Sequence, residues 1–433
     1  MNRNIYATLK DWSHSLRRKP LVLQGARQVG KTFALQWFGK ECYKETVYCN
    51  FEKDKKLAKL FTDSDPASII RQIELYRRTD IKPKSTLIIL DEIQECSAAL
   101  NSLKYFQEEL NEYHIVAAGS LLGVKLSQHE SFPVGKVNFL HMYPLNFGEY
   151  LEACGEERLY KLLNEKEDFS PLNLALHERL IELLRRYMWI GGMPEAVAES
   201  IRARAKESVV REIQNELLKS YELDFVKHTS ADLAVKLTQV WNQIPSQLAK
   251  ENKKFIFSAL RKSARGREFT GALQWLADAG LTYPTYALSK PNLPLAGYAD
   301  RSVFKIYLID VGLLGAFSGL EAEDLTAGPK IFSEFNGALT ENYVAQQIFS
   351  SREKKELFYW RSENVAEVDF VESNKQRILP LEVKAGINPR SKSLKVFGKK
   401  YSVNPLYRTN LLNFHQSDSV INIPLYAMYR FPW

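Results

Sequence analysis

The sequence predicts a multidomain α/β protein that begins with a parallel sheet flanked by helices. From about residue 20 to 150, apolar runs of strand length alternate with helix-like segments, as such a sheet requires. From residue 151 to about 225, apolar residues recur at helical spacing instead. Near the C-terminus, runs of alternating polar and apolar residues predict strands again. We therefore expect a sheet domain at 1–150, a helical segment at 151–225, a middle domain at 226–325 and a smaller α/β domain at 326–433.

Length and composition agree with a large protein of the cytoplasm. The chain has 433 residues, 45% of them hydrophobic, which is enough to build the cores of two to four domains. Its four cysteines stand at no metal-ligand spacing and are expected to be reduced. No apolar run has the length of a signal peptide or a membrane span, so we expect a cytoplasmic protein without membrane insertion.

A glycine-rich loop directly follows the first apolar run, Leu21-Val22-Leu23. It has the pattern G-x-x-x-x-G-K-T, and its order of strand, loop and helix is the context in which this motif binds nucleotide phosphates. Lys31 is expected to reach the β and γ phosphates of ATP, and Thr32 to ligate Mg²⁺. The alternative is a glycine-containing turn that matches by chance. The predicted nucleotide-binding residues of the loop are Gly25, Ala26, Arg27, Gln28, Val29, Gly30, Lys31 and Thr32.

Two acids end the apolar run that starts at Thr86. The run reads as a buried parallel strand, so its end should lie at the sheet edge where ligands bind. Asp91 is expected to hold the water shell of Mg²⁺ and is counted among the cofactor-binding and metal-binding residues. Glu92 is expected to polarise the water that attacks the γ phosphate.

Two further polar residues end predicted strands of the same sheet. Ser120, after the strand His114–Ala118, is expected to sense the γ phosphate, with a plain strand-end turn as the alternative. Asn50, after the strand Thr46–Cys49, is a weaker candidate for holding Glu92 in an inactive pose, with a capping role as the alternative.

The segments GARQVGKT, LIILDEIQ, AAGSLLG and HMYPLNFGEYL resemble AAA-type ATPases of bacteria and archaea over the whole chain. Those proteins carry a C-terminal domain of uncharacterised function that is similar to PD-(D/E)XK nucleases. The resemblance implies a P-loop NTPase sheet, a helical lid, and a nuclease-like α/β domain. It leaves open whether the chain forms a homo-oligomer. Relatives usually show Gly-Arg where this chain has Gly135-Lys136, and a lysine lacks the two-pronged donor of an arginine finger.

The helical segment at 151–225 looks like the lid that in related ATPases packs over the nucleotide. Its pattern breaks at Ile190-Gly191-Gly192-Met193-Pro194. This turn is either a hinge or a mere connection between two helices.

The middle domain has the element order of a winged helix. Predicted helices at 231–243, 255–262 and 270–279 precede a strand from Thr282 to Tyr286 and a loop to Asp300. A basic cluster in this domain suits phosphate contacts, so we expect nucleic-acid binding, with DNA favoured over RNA. The alternatives are a solvated helix face and a protein contact. The cluster sets one acid, Glu251, against Lys250, Lys253, Lys254, Arg261, Lys262, Arg265 and Arg267.

A second candidate active site lies in the last third of the chain. The strand-like runs Glu367–Val371 and Ile378–Lys384 should form a hairpin, in which Asp369 meets the face that carries Glu382 and Lys384. This is the PD-(D/E)XK pattern, in which the two carboxylates bind Mg²⁺ or Mn²⁺ and the lysine helps to activate water. Glu341, in a helix predicted from Glu334 to Phe349, matches the acid that some such nucleases add. The alternative is a solvated hairpin face without chemistry.

The segment from Lys384 to Gln416 contains no acid and seven lysines and arginines, so it could hold a polyanion. The sequence therefore predicts an ATPase coupled to a DNA-binding and metal-dependent nuclease half. The alternative is an ATP-dependent switch that binds a protein partner and keeps the nuclease fold only as a scaffold.

Overall fold

The computed structural model describes residues 1–124, 135–202, 206–250, 253–262, 264–321, 336–351, 356–362, 366–387, 390–417 and 419–432. The chain forms two compact units. The N-terminal unit comprises residues 2–143 and 278–280, and the C-terminal unit comprises residues 144–277 and 281–433. No helix in these described ranges has the length and apolar character needed to cross a membrane.

The N-terminal unit is a five-stranded parallel sheet with the order β2-β3-β4-β1-β5. Strand β3 is buried along its whole length, as its apolar sequence predicts. Strand β4 separates β1 from β3, so the strand before the glycine-rich loop and the strand before the two acids are not neighbours. The elements are α1 Ile5–His14, β1 Leu21–Gln24, α2 Lys31–Cys42, β2 Glu45–Asn50, α3 Pro66–Arg77, β3 Thr86–Asp91, α4 Ser97–Glu109, β4 His114–Ala118 and β5 Asn138–His141.

The first part of the C-terminal unit is helical, as predicted for 151–225. Asn146 begins α5 with a capping box, because its side chain accepts from the Glu149 N–H while the Glu149 carboxylate accepts from the Asn146 N–H. The helices are α5 Phe147–Ala153, α6 Glu157–Glu165, α7 Leu174–Ile190, α8 Pro194–Ser200, α9 Glu207–His228, α10 Ala231–Leu248 and α11 Gly266–Asp278.

The turn between α7 and α8 is a fixed connection. The Gly192 N–H donates to the buried carboxylate of Asp310 at 2.6 Å, and its carbonyl accepts from the Leu145 N–H at 2.7 Å. A Cβ on Gly192 would lie 2.0 Å from the Leu145 carbonyl oxygen. These contacts favour the connection over the hinge.

The rest of the C-terminal unit contains two sheets. One has the order β7-β6-β8-β9, and the other β10-β11-β12-β14-β13. Strand β6 pairs antiparallel with β7 but parallel with β8, so the predicted boundary between residues 325 and 326 falls between strands of one sheet. The elements are β6 Thr282–Leu288, β7 Ala299–Leu308, α12 Val311–Phe317, α13 Asn336–Ser350, β8 Leu357–Arg361, β9 Glu367–Val368, β10 Phe370–Asn374, β11 Arg377–Val383, α14 Lys392–Tyr401, β12 Leu406–Asn410, β13 His415–Gln416 and β14 Val420–Pro424.

The predicted helix at 255–262 is wrong, because only a single 3₁₀ turn, Phe257–Ala259, forms there. The Phe255 N–H donates to the Phe304 carbonyl at 2.8 Å, and the two rings stack with centroids 5.7 Å apart. The segment is thus held extended against β7. Glu251 and Glu334 lie outside the described residues.

Candidate functional sites

The glycine-rich loop has the backbone that its two glycines were expected to permit. Gly25 and Gly30 have φ values of 147° and 97°, which disfavour any residue with a Cβ. A Cβ on Gly25 would also lie 2.2 Å from the Met142 carbonyl oxygen. The loop ends where α2 begins, so the positive end of that helix lies at the loop.

The side chain of Lys31 folds back onto the glycine-rich loop that precedes it. Its Nζ donates to the carbonyl oxygens of Gly25 at 2.9 Å and Ala26 at 2.8 Å. Burial lowers the pKa of Lys31 to about 8, although the carboxylates of Glu92 and Asp91 act in the opposite direction. A phosphate at the loop would add the negative charge that a buried ammonium lacks.

Asp91 is connected to the loop through Thr32. The Thr32 hydroxyl donates to Asp91 Oδ2 at 2.9 Å, and the Tyr48 hydroxyl donates to the same oxygen at 2.6 Å. Tyr48 was not predicted as a site residue, although its position two residues before the end of β2 points to the same sheet edge. Mg²⁺ prefers oxygen ligands and keeps several ordered waters, so a hydroxyl and a carboxylate held together in this way suit a Mg²⁺ site.

Glu92 has a left-handed backbone, with φ of 50°, and its carboxylate is held from two sides. Gln94 Nε2 donates to Glu92 Oε2 at 2.5 Å, and the Ser120 hydroxyl lies 3.4 Å from the same oxygen. A Cβ on Gly119 would lie 2.0 Å from Gln94 Oε1, so the glycine makes room for this amide. Gln94 is the contact of Glu92 that the sequence analysis missed.

Asn50 has the capping role rather than the contact with Glu92. Its Oδ1 accepts from the N–H groups of Glu52 at 3.1 Å and Lys53 at 2.8 Å. Its Nδ2 lies 3.4 Å from Asp91 Oδ2. Lys136 forms an ion pair with Glu108 at 2.9 Å.

Asp369 lies at a break between two strands of the C-terminal unit. Strand β9 ends at Val368 and pairs with β8, whereas β10 starts at Phe370 and pairs antiparallel with β11. The predicted hairpin is thus confirmed from Phe370 onward. Asp369 Oδ2 accepts from the Val383 N–H at 2.7 Å.

Glu341 is held by cations and a hydroxyl rather than left open. One carboxylate oxygen pairs with Lys253 Nζ, and the other accepts from the Tyr307 hydroxyl at 2.8 Å and lies 3.7 Å from Lys305 Nζ. Lys305 is almost fully buried and forms a second ion pair with Glu367 at 2.5 Å. Glu341 therefore has little capacity left for a metal ion.

Two carboxylates of this cluster have pKa values shifted in opposite directions. Burial raises the pKa of Asp369, and the negative charge of Glu341 raises it further. Burial also favours a higher pKa for Glu341, but Lys253 and Lys305 outweigh it and hold that pKa below its usual range. The cluster therefore binds protons at Asp369 more readily than at Glu341.

Glu382 and Lys384 lie on the same face, as their spacing predicted. Their charged groups are 2.9 Å apart. Glu382 is buried, and its second oxygen, Oε2, has no hydrogen-bond partner within the described part of the chain. Across the residues that the structure describes, no three His, Cys, Asp or Glu side chains are arranged to hold a metal ion. The four predicted residues thus do not form one ligand set.

The basic cluster of the middle domain is only partly on the surface. Lys253 lies in the ion pair with Glu341, and Arg261 pairs with Glu268. Lys262, Arg265 and Arg267 are exposed. The other predicted basic segment supplies four exposed lysines on α14, which are Lys392, Lys395, Lys399 and Lys400.

Three parts of the chain match models of known protein families. Residues 17–151 match the model of an AAA domain, residues 181–324 match a domain of unknown function (DUF8612), and residues 336–427 match another (DUF4143). No curated protein matches the chain.

Solved structures similar to the chain include a Walker-type ATPase of Pyrococcus abyssi, which is 12% identical, with 73% of this chain and 95% of that chain covered and a TM-score of 0.47. The ORC1 protein of Aeropyrum pernix in complex with DNA is 15% identical, with coverages of 74% and 93% and a TM-score of 0.29. AMPPCP-bound DnaA of Aquifex aeolicus is 16% identical, with coverages of 63% and 86% and a TM-score of 0.30. Likenesses this distant give no information on function.

The family match and the site geometry agree for the first third of the chain. The matched AAA model spans the glycine-rich loop, both acids and all five strands of the parallel sheet. Residues 17–151 are therefore an AAA-type ATPase domain.

Proposed function

We propose that this protein binds MgATP in its N-terminal unit and hydrolyses it to ADP and phosphate. The observation that carries the proposal is the connected set of side chains at the sheet edge, in which Thr32 contacts Asp91 while Gln94 and Ser120 hold Glu92. These side chains come from different segments and meet where parallel-sheet proteins bind ligands.

Each residue of the set has a role that its contacts support. Loop N–H groups and Lys31 neutralise the phosphates, and Thr32 with Asp91 positions Mg²⁺ and its water shell. A bound ion would supply positive charge that stabilises the negative charge developing on the phosphates. Glu92 orients and polarises the attacking water, and Ser120 is close enough to Glu92 to report on the γ phosphate.

Two variants separate binding from hydrolysis. Lys31→Ala should lose nucleotide affinity, because the loop then lacks its buried cation. Glu92→Gln should keep affinity and slow turnover by about 100-fold or more, because an amide cannot act as a base. ATP turnover by Glu92→Gln at the wild-type rate would remove Glu92 from the mechanism.

We further propose that the C-terminal unit binds nucleic acid, DNA more readily than RNA, and that the ATP cycle controls this binding. Support comes from the exposed lysines of α14 and from the absence of acids between Lys384 and Gln416. The alternative is an ATP-dependent switch that binds a protein partner or a second copy of the chain. Nucleotide-dependent capture of a partner without DNA binding would favour that alternative. The free cysteines support a cytoplasmic location.

Metal-dependent cleavage of the bound nucleic acid is a second candidate function. Asp369 and Glu382 would supply the hard oxygen donors that Mg²⁺ or Mn²⁺ needs, and Glu382 Oε2, which no described residue hydrogen-bonds, supports a ligand role. Lys384, in contact with Glu382, is the candidate for orienting water. A bound ion would supply Lewis-acid activation of the phosphodiester. Glu341 does not fit as a ligand while Lys253 and Lys305 hold it.

Asp369→Ala tests this candidate. It should abolish Mn²⁺-dependent cutting of DNA while ATP hydrolysis continues, because the two sites are built from different segments. Glu356→Ala, which removes a half-buried carboxylate paired with the exposed Arg301, is the matched control and should cut normally. Equal cutting by wild type and Asp369→Ala would exclude the site, and absence of cutting in both would favour the silent scaffold.

A further inference from the structure

The C-terminal unit contains a cavity that none of the functions above uses. Its volume is about 680 Å³, within the range of small-ligand sites. The ends of β6 and β7 form one side, the end of β8 another, and the last turn of α14 the third. The cavity thus opens at the same helix that carries the exposed lysines.

Aromatic side chains form one wall of the cavity. Tyr401, which is partly exposed, and Trp360, which is buried, line it. The Trp360 indole Nε1 donates to the Tyr401 hydroxyl at 3.1 Å. The two rings are nearly perpendicular, with centroids 5.7 Å apart, and Phe397 packs against both. Because the rings hold one another, the wall is formed before any ligand arrives.

Basic groups lie beside this wall. Lys400 Nζ is 5.6 Å from the centre of the Trp360 ring and 5.4 Å from that of Tyr401, and the exposed Arg361 lines the cavity as well. The lining also contains Asp300, whose carboxylate accepts from the N–H and the hydroxyl of Ser302 at 2.9 and 2.6 Å. The acid is therefore engaged within its own strand, β7, and the two cations outnumber it, so the lining has a net positive charge.

The positive charge continues along α14 from the cavity. Lys392, Lys395 and Lys399 are spaced by three and four residues, so they share one face of the helix, which is exposed. From Lys392 to Lys399 this face is about 10 Å long. A flexible polyanion that enters the cavity can therefore stay in contact with cations after it leaves.

We propose that this cavity binds one unpaired base of single-stranded nucleic acid against the partly exposed ring of Tyr401, which the buried Trp360 holds in place, with the flanking phosphates on Arg361, Lys400 and the lysine face of α14. Aromatic walls favour a base over an acidic peptide, since every base offers a π face. A paired base must first be taken out of its stack, which is unfavourable, so duplexes should bind less well. The inference rests on the proposed nucleic-acid binding and names its substrate class.

The test measures fluorescence anisotropy of a labelled twelve-nucleotide poly-dT strand at several salt concentrations. Arg361→Ala/Lys400→Ala should weaken binding at least about tenfold and lower the slope of log affinity against log salt by about 1.4, since two phosphate contacts are lost. The matched control, Arg202→Ala/Lys219→Ala, removes two exposed cations, one from the turn after α8 and one from α9, and should bind as wild type does.

Tyr401 separates the base contact from the phosphate contacts. Tyr401→Leu should weaken strand binding about tenfold with an unchanged salt slope, and Tyr401→Phe, which keeps the ring, should restore it. Thermal melts establish that each variant is folded. Loss of affinity in both Tyr401 variants alike would contradict a role for the ring.

Two comparisons distinguish an unpaired base in a strand from a base in a duplex and from a free nucleotide. A duplex of the same length should bind more weakly than the strand and should be insensitive to Tyr401→Leu. Free dTMP should compete only at far higher concentration than the strand. Equal affinity for duplex and strand, or for dTMP and strand, would overturn the proposal. If the wild type binds no nucleic acid at all, the proposed nucleic-acid function itself fails, whereas wild-type binding unaffected by these variants refutes only the cavity.

Discussion

Raising the pH from 7.5 to 9 should weaken ATP binding, because Lys31 loses its proton in this range. Burial in the loop holds the pKa of Lys31 at about 8, against 10.5 for an ordinary lysine. Only the ammonium form attracts phosphate, so phosphate binding raises this pKa and takes up a proton above pH 8. A group with this pKa is about three-quarters protonated at pH 7.5 and about one-tenth protonated at pH 9. The dissociation constant for ATP should therefore rise about eightfold between these pH values.

The assay is equilibrium titration with a fluorescent ATP analogue at constant salt and excess Mg²⁺. The pKa of Tyr48, raised by burial to about 12, keeps that neighbour of Asp91 protonated throughout. Lys31→Arg is the control, because a guanidinium stays charged over this range, so its residual affinity should change less than about twofold. A wild-type dissociation constant that is the same at both pH values would show that Lys31 is not buried in the way described.

Two other predictions concern contacts that the structure adds. Gln94→Ala should lower kcat for ATP hydrolysis about tenfold with little change in KM, because Glu92 is then less firmly held. Steady-state kinetics measure both constants. A changed KM with a normal kcat would instead indicate a role of Gln94 in nucleotide binding. Lys305→Met should lower the free energy of unfolding by about 3–5 kcal/mol in urea titrations, because Glu341 loses one of its cations and Glu367 its ion pair. Glu367→Gln, at a side chain that is 35% exposed, should cost less, and equal costs would refute the ranking.

The nucleotide site was largely predictable because its motif is contiguous and its acids end a recognisable strand. Lys31, Thr32 and Asp91 follow from local order alone. Gln94 did not, because its contact with Glu92 depends on the left-handed backbone at Glu92 and on the space left by Gly119. No periodic pattern in the sequence indicates a left-handed backbone at Glu92 or the space that Gly119 leaves for the Gln94 amide.

The C-terminal cluster was less predictable because its cations come from distant segments. Lys253 is 88 residues from Glu341 in sequence, and its role could not be separated from that of its basic neighbours. Asp369 was expected inside a continuous strand, but it sits where the chain passes from one sheet to the other. The predicted helix at 255–262 fails for a related reason, since pairing with β7 outweighs its helical spacing.

The sharing of one sheet by β6, β7 and β8 determines how the protein can be divided. A chain cut between residues 325 and 326 would leave β8 without its neighbour β6 and would remove Lys253 and Lys305 from the acids they neutralise. Such a fragment would expose a strand edge and bury unpaired carboxylates, so its aggregation or inactivity would reveal nothing about the intact protein. A fragment that starts at Pro144 contains the whole compact C-terminal unit and keeps β6, Lys253 and Lys305 with their partners.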